Sequence, residues 1–202
     1  MSRRARLVLV VLALASLSPG APAPRRVGFA PAPTAEIAPP PVLPRALVAG
    51  VRQRLERYPT GLTRAEQEAL ADTIVRESWR HDLPVELVLA VMHVESRFHT
   101  FAVSPVGAVG LMQLLPSTAE EVADELGVPW RGARTLFDPE ANVRLGVAYL
   151  KWLERRYGRL EVALAAYNWG PGRVDRRLRQ GGPLPADYSR SVLQVYGSRR
   201  PS

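Results

Sequence analysis

Residues 85–96 read Val85-Glu86-Leu87-Val88-Leu89-Ala90-Val91-Met92-His93-Val94-Glu95-Ser96. Written on a helix, Val85, Leu87, Val88, Leu89, Val91, Met92 and Val94 leave almost no polar face. A helix that is apolar nearly all round belongs in the middle of a domain, with other helices packed about it. Asp82 and Pro84 mark its start. The stretch therefore predicts a mainly α protein built around one buried helix, and that helix ends on a carboxyl, Glu95.

Working outward, the flanking sequence reads as further helices separated by Pro- and Gly-marked loops. Residues 45–57 form a first candidate. A second begins after Thr63, with Glu66 three residues on, the spacing of a capping box; it is expected to carry Leu70, Ile74 and Trp79 on one side. Another start falls at Ser117 with Glu120, and another at Asp138-Pro139, where Asp caps and Pro suits the first turn. The latter helix should run to about Tyr157, taking in Tyr149, Leu150, Trp152 and Leu153. Residues 160–168 and 187–196 complete the set. No segment alternates over more than about four residues, so strands are not expected.

The N-terminal part is of another kind. Arg3, Arg4 and Arg6 precede an apolar run over residues 7–17, the layout of a secretory signal, with a small-x-small pattern at Ala21-Pro22-Ala23. A run of eleven residues is short of the ~20 apolar residues that span a bilayer. Residues 1–23 are read as a signal peptide or N-terminal anchor, the anchor being a possible membrane tether. Residues 19–44 hold nine of the 19 prolines. Residues 24–44 are read as a Pro/Ala-rich linker, too poor in large apolar side chains to offset the entropy of ordering. Residues 45–202 form the folded domain, expected to fold without them.

Composition removes many functions. The 202 residues include no cysteine, so disulfides, thiolate metal sites, iron–sulfur clusters and cysteine nucleophiles are excluded. The formal charge is +8, but from Arg45 onward 22 basic residues face 18 acidic ones. No basic cluster is interleaved with aromatic residues, so no nucleic-acid partner is expected. His93 and His99 lie near Glu95, yet neither a His-Glu-x-x-His pattern nor partner cysteines accompany them; no metal or other cofactor is expected, and His93 is read as structural.

The chemistry concentrates after the buried helix. Glu95 is followed by 24 residues, 96–119, with no Asp or Glu. Apolar neighbours and the negative end of a helix both favour the protonated carboxyl, which suits a general acid; a surface Glu paired with Arg97 is the plainer alternative. Ser104-Pro105-Val106-Gly107 has type I turn composition. Residues 110–116, Gly-Leu-Met-Gln-Leu-Leu-Pro, put the Gln113 amide in an apolar strip that could line a groove or simply fill the core. Tyr167-Asn168-Trp169 closes a helix with a phenol, an amide and an indole, able to hydrogen-bond and stack on a sugar or to pack as a helix stop.

Together these pieces resemble the soluble lytic transglycosylase catalytic domain, of the lysozyme-like superfamily that includes goose-type lysozyme. The match runs through Glu95-Ser96-Arg97-Phe98, residues 102–113, Pro116-Ser117-Thr118-Ala119, Leu136-Phe137-Asp138-Pro139, Asn142, Gly146, Tyr149-Leu150 and Ala166-Tyr167-Asn168-Trp169-Gly170. The resemblance implies a single lysozyme-like helical domain with a Gly-rich loop or short hairpin after the catalytic helix. It implies that Glu95 is the catalytic acid/base, that Ser104, Met112 and Gln113 lie along a glycan groove, and that Tyr167 and Asn168 complete the site, with the Tyr167 hydroxyl expected as the partner of Glu95. Leu184 departs from the family, which commonly has Glu four residues before the tyrosine matching Tyr188.

The implied activity is cleavage of the β-1,4 bond between N-acetylmuramic acid and N-acetylglucosamine in peptidoglycan, in the periplasm or cell envelope, with closure of a 1,6-anhydro ring. One carboxyl suffices for that reaction, whereas ordinary glycosidases need two. A hydrolytic muramidase and a non-catalytic peptidoglycan-binding or envelope-assembly module stand as alternatives.

Overall fold

A computed structural model describes residues 44–198. The signal or anchor segment, and the linker up to residue 43, lie outside the described residues. Eight α-helices follow in order: α1 (Arg45–Leu55), α2 (Arg64–Arg80), α3 (Val85–Ser96), α4 (Pro116–Leu126), α5 (Pro139–Tyr157), α6 (Leu160–Trp169), α7 (Pro171–Arg179) and α8 (Asp187–Gly197), with a 3-10 turn at Arg134–Phe137 before α5. Among the described residues there are no strands, only isolated bridges such as Val103 with Val109 and Val109 with Leu114 in the loop after α3. No described helix is long and apolar enough to cross a membrane.

The buried helix behaves as its composition demands. From Leu87 to Met92 every residue of α3 is buried, and α8 and α2 pack against it. α5 is the other spine, contacting α2, α4 and α6. Its start is set by Asp138, whose Oδ1 accepts from the N–H groups of Glu140 (2.9 Å) and Ala141 (3.0 Å), with Pro139 in the first turn. At α2 the capping box is complete: Thr63 N–H donates to Glu66 at 2.7 Å and Glu66 N–H returns to Thr63 Oγ1 at 3.3 Å.

Three local expectations are corrected. Trp79 does not share the face of Leu70 and Ile74; both of those are fully buried while Trp79 is 48% exposed. Nine residues at about 100° each place Trp79 roughly 180° from Leu70. Ser117 is no cap: α4 starts at Pro116 behind Leu115, without a side-chain cap. Finally, Gly170-Pro171-Gly172 is a junction as well as a stop. Gly170 turns at φ +88 and Pro171 opens α7, whose six charged or glycine positions hid a helix that buries only Val174.

The loop between α3 and α4 is fixed from beneath by one side chain. Asn142, fully buried on α5, donates through Nδ2 to the carbonyls of Val109 and Leu136, both at 3.0 Å, and accepts from Met112 N–H at 2.8 Å. Two glycines make that approach possible. At Gly110, with φ +83, a Cβ would lie 2.6 Å from the Leu136 carbonyl oxygen, and at Gly146 one would lie 2.8 Å from Met112 Cβ. Any side chain at either place would push the loop off α5.

Candidate active site

Glu95 occupies the last turn of α3, where Arg97 takes a left-handed conformation (φ 51, ψ 37) and turns the chain away. The neighbouring Ser96 hydroxyl donates to the Leu111 carbonyl at 2.8 Å, tying the helix end to the loop beyond it. Glu95 is half-buried. Loss of hydration raises its pKa from 4.5 to about 7, against a smaller lowering by the hydroxyl that donates to it. That hydroxyl belongs to Tyr188, 2.6 Å from Oε1, on the first turn of α8.

The expected partner of Glu95 was Tyr167, and this is corrected. The buried Tyr167 hydroxyl donates instead to the Met112 carbonyl at 2.8 Å. Its ring lies parallel to that of Tyr188, with centroids 6.4 Å apart and planes 6° from parallel, and 5.4 Å from that of Tyr149. Tyr167 thus positions the ring that reaches Glu95, from a helix two elements earlier. Both phenols are held far from ionisation, by burial first and by Glu95 next, so each is a donor and neither a base.

The remaining candidates separate by exposure. Met112 is fully buried, so its side chain fills core against Gly146 rather than lining a groove; only its backbone contributes, to Asn142 and Tyr167. Gln113 is partly exposed at φ 48, and its Nε2 donates to the carbonyls of Ala102 (3.1 Å) and Gly110 (2.9 Å). Both amide protons are spent within the loop, leaving Oε1 as the atom free to accept. Ser104 closes its turn as composition predicted, through Gly107 N–H to the Ser104 carbonyl at 2.9 Å, while its Oγ accepts from Ala108 N–H at 3.0 Å. The hydroxyl proton of Ser104 is left to donate. Asn168 is exposed on the last turn of α6, beside Trp169, which packs partly on the core.

His93 stacks edge-on to Tyr58 at 5.7 Å and lies 6.0 Å from Phe98, its pKa lowered by burial and then by Arg97, as befits a neutral packing residue. Among the described residues, no group of three or more His, Cys, Asp or Glu is placed to hold a metal ion. Tyr188 is the residue whose role sequence reading passed over. It was named only as a landmark for Leu184, which packs its side chain partly buried against the core from the loop before α8.

Comparison with known proteins follows the same residues. Positions 72–188 match the family described as Transglycosylase SLT domain. The chain is 37% identical over 108 residues to a soluble lytic murein transglycosylase of Salmonella typhimurium, covering 52% of this chain and 17% of that protein. It is 38% identical over 117 residues to membrane-bound lytic murein transglycosylase C of Edwardsiella ictaluri, covering 52% and 32% respectively. The crystal structure of the 70-kDa soluble lytic transglycosylase of Escherichia coli superposes with a TM-score of 0.53 at 25% identity, over 75% of this chain and 27% of that one. The chain therefore spans less than a third of the length of each of these three proteins.

Proposed function

This chain belongs to the Transglycosylase SLT domain family, and on that premise we propose that it is a peptidoglycan lytic transglycosylase acting in the cell envelope, with Glu95 as its catalytic acid and base. One observation supports the reading: a half-buried carboxyl at the end of the buried helix, its pKa raised by burial to about 7, with the Tyr188 hydroxyl donating to it at 2.6 Å. A carboxyl poised near neutrality can serve as acid and then as base in one turnover.

In the first step, protonated Glu95 donates to the β-1,4 oxygen leaving N-acetylmuramic acid, and the sugar's own 2-acetamido group supports the positive charge that develops. In the second, the Glu95 carboxylate takes the proton of the C6 hydroxyl, which closes the 1,6-anhydro ring without consuming water. Tyr188 steadies the carboxylate between the two steps by donating to Oε1. The Ser104 hydroxyl, the Gln113 Oε1 atom and the Asn168 amide are the groups proposed to hold the glycan, and Met112 contributes through its backbone alone. Residues 1–23 are proposed to direct export to the periplasm or to tether the domain there.

Digestion of purified sacculi in 18O-labelled water tests the proposal. Anhydro ends free of label are expected; labelled reducing ends would make the protein a muramidase, and release of no fragment at all would leave a binding module.

A further inference from the structure

An apolar groove of about 460 Å³ lies at the start of α3. Its walls come from the beginning of α1 (Pro44, Leu47), the last turn of α2 (Ser78, Trp79) and the turn into α3 (Leu83, Pro84). Trp79 and Leu47 are left 48% and 37% exposed there. One polar group is stranded in the same wall: Ser78 is 1% exposed, and its Oγ has no hydrogen-bond partner among the described residues. Buried hydroxyls are rarely left unpaired, so this wall lacks a group that can accept from Ser78.

The place of the groove along the chain says what can fill it. The Pro44 carbonyl accepts from the N–H groups of Leu47 (2.8 Å) and Val48 (3.2 Å), which fixes in the groove wall the point where the preceding chain is attached. That chain reads Pro39-Pro40-Pro41-Val42-Leu43, five residues without a charge. Successive prolines are confined to extended φ and lose little entropy on docking, and each offers a carbonyl to a donor with no N–H of its own to satisfy. Grooves lined by aromatic side chains receive segments of this kind. Joined directly to Pro44, the segment meets the groove as an intramolecular partner, at high effective concentration.

We infer that residues 39–43 dock in this groove, covering Trp79 and Leu47 with apolar side chains and giving the Ser78 hydroxyl a carbonyl to donate to. The inference stands without the transglycosylase reading. Glu95 lies ten residues along α3 from Val85, about 15 Å at the rise of a helix, so a segment docked here leaves the candidate site open. Any tether formed by residues 1–23 then holds the domain by the end of α3 opposite Glu95.

The test uses the full chain and follows Trp79 fluorescence, taken as the difference between each chain and the same chain carrying W79F. With the natural linker this component should be blue-shifted and shielded from acrylamide. In P39G/P40S/P41G/V42S/L43G it should move to the red, and its Stern–Volmer constant should rise several-fold. Equal quenching in the two chains, whether strong or weak, overturns the inference. Shielding that grows with protein concentration in both gives the groove to a second copy and overturns it likewise. Thermal melts supply an independent measurement and show that each variant is folded. The linker variant and W79S should each lower Tm by about 3 °C, and the two combined should lower it no further, because they remove the same contact. Additive losses, or no loss in either variant, overturn the inference.

Discussion

The hydroxyl of Tyr188 stands 2.6 Å from Oε1 of Glu95, across 93 residues of chain, and it is the hydrogen bond that holds down a carboxyl otherwise driven upward by burial. Removing that donor leaves burial unopposed. Tyr188→Phe should therefore raise the Glu95 pKa further, move the alkaline limb of the kcat/KM profile to higher pH, and reduce turnover on the order of ten- to a hundredfold. A pH–rate profile superimposable on the wild type would remove Tyr188 from the mechanism.

Tyr167→Phe should behave differently, although its ring is parallel to that of Tyr188. Its hydroxyl serves the Met112 carbonyl, so the loss is one buried hydrogen bond, about 1 kcal/mol of stability, with the alkaline limb left in place. Urea unfolding and the pH profile together separate the two tyrosines; a shifted limb in this variant would mean that Tyr167 reaches Glu95 after all.

Glu95→Gln should lower activity by at least two orders of magnitude while leaving the fold intact. Its signature in stability is a change of pH dependence. The native state holds this proton to about pH 7, whereas the unfolded chain releases it near 4.5. The stabilising contribution is complete below the unfolded value and is lost as pH rises through the folded one, by at most about 3 kcal/mol. Wild-type stability should thus fall between pH 4.5 and 7 relative to the variant, and parallel curves for the two proteins would contradict the raised pKa.

Asn142→Ala should be among the most destabilising changes in the domain, about 2–4 kcal/mol, since it strands Met112 N–H and withdraws a donor from the Val109 and Leu136 carbonyls in buried surroundings. Because the Met112 carbonyl also anchors Tyr167, activity should fall at temperatures where the variant remains folded. Chemical denaturation beside an activity assay checks both; a loss under about 0.5 kcal/mol would show that the loop stands without this side chain.

Much of this protein is written locally in its sequence. The all-round apolarity of residues 85–94 fixed a central helix, Thr63 with Glu66 and Asp138 with Pro139 fixed two helix starts, and the apolar neighbours of Glu95 marked a carboxyl whose pKa burial would raise. Each depends on neighbours within a turn or two of helix, where hydrophobic period and capping chemistry act. α7 was lost because its one buried residue, Val174, gives no period to detect.

Tertiary structure decided which phenol reaches Glu95. Tyr167 and Tyr188 are both tyrosines at the margin of a helix, and their rings end up parallel; only the docking of α8 on α3 and of α6 beneath the loop gives Glu95 to one and the Met112 carbonyl to the other. The same holds for Met112, which the family resemblance placed along a groove yet is buried because Gly146, 34 residues later, leaves room for it. A hydrogen bond across 93 residues depends on the packing of whole helices, and no local pattern in the chain encodes it.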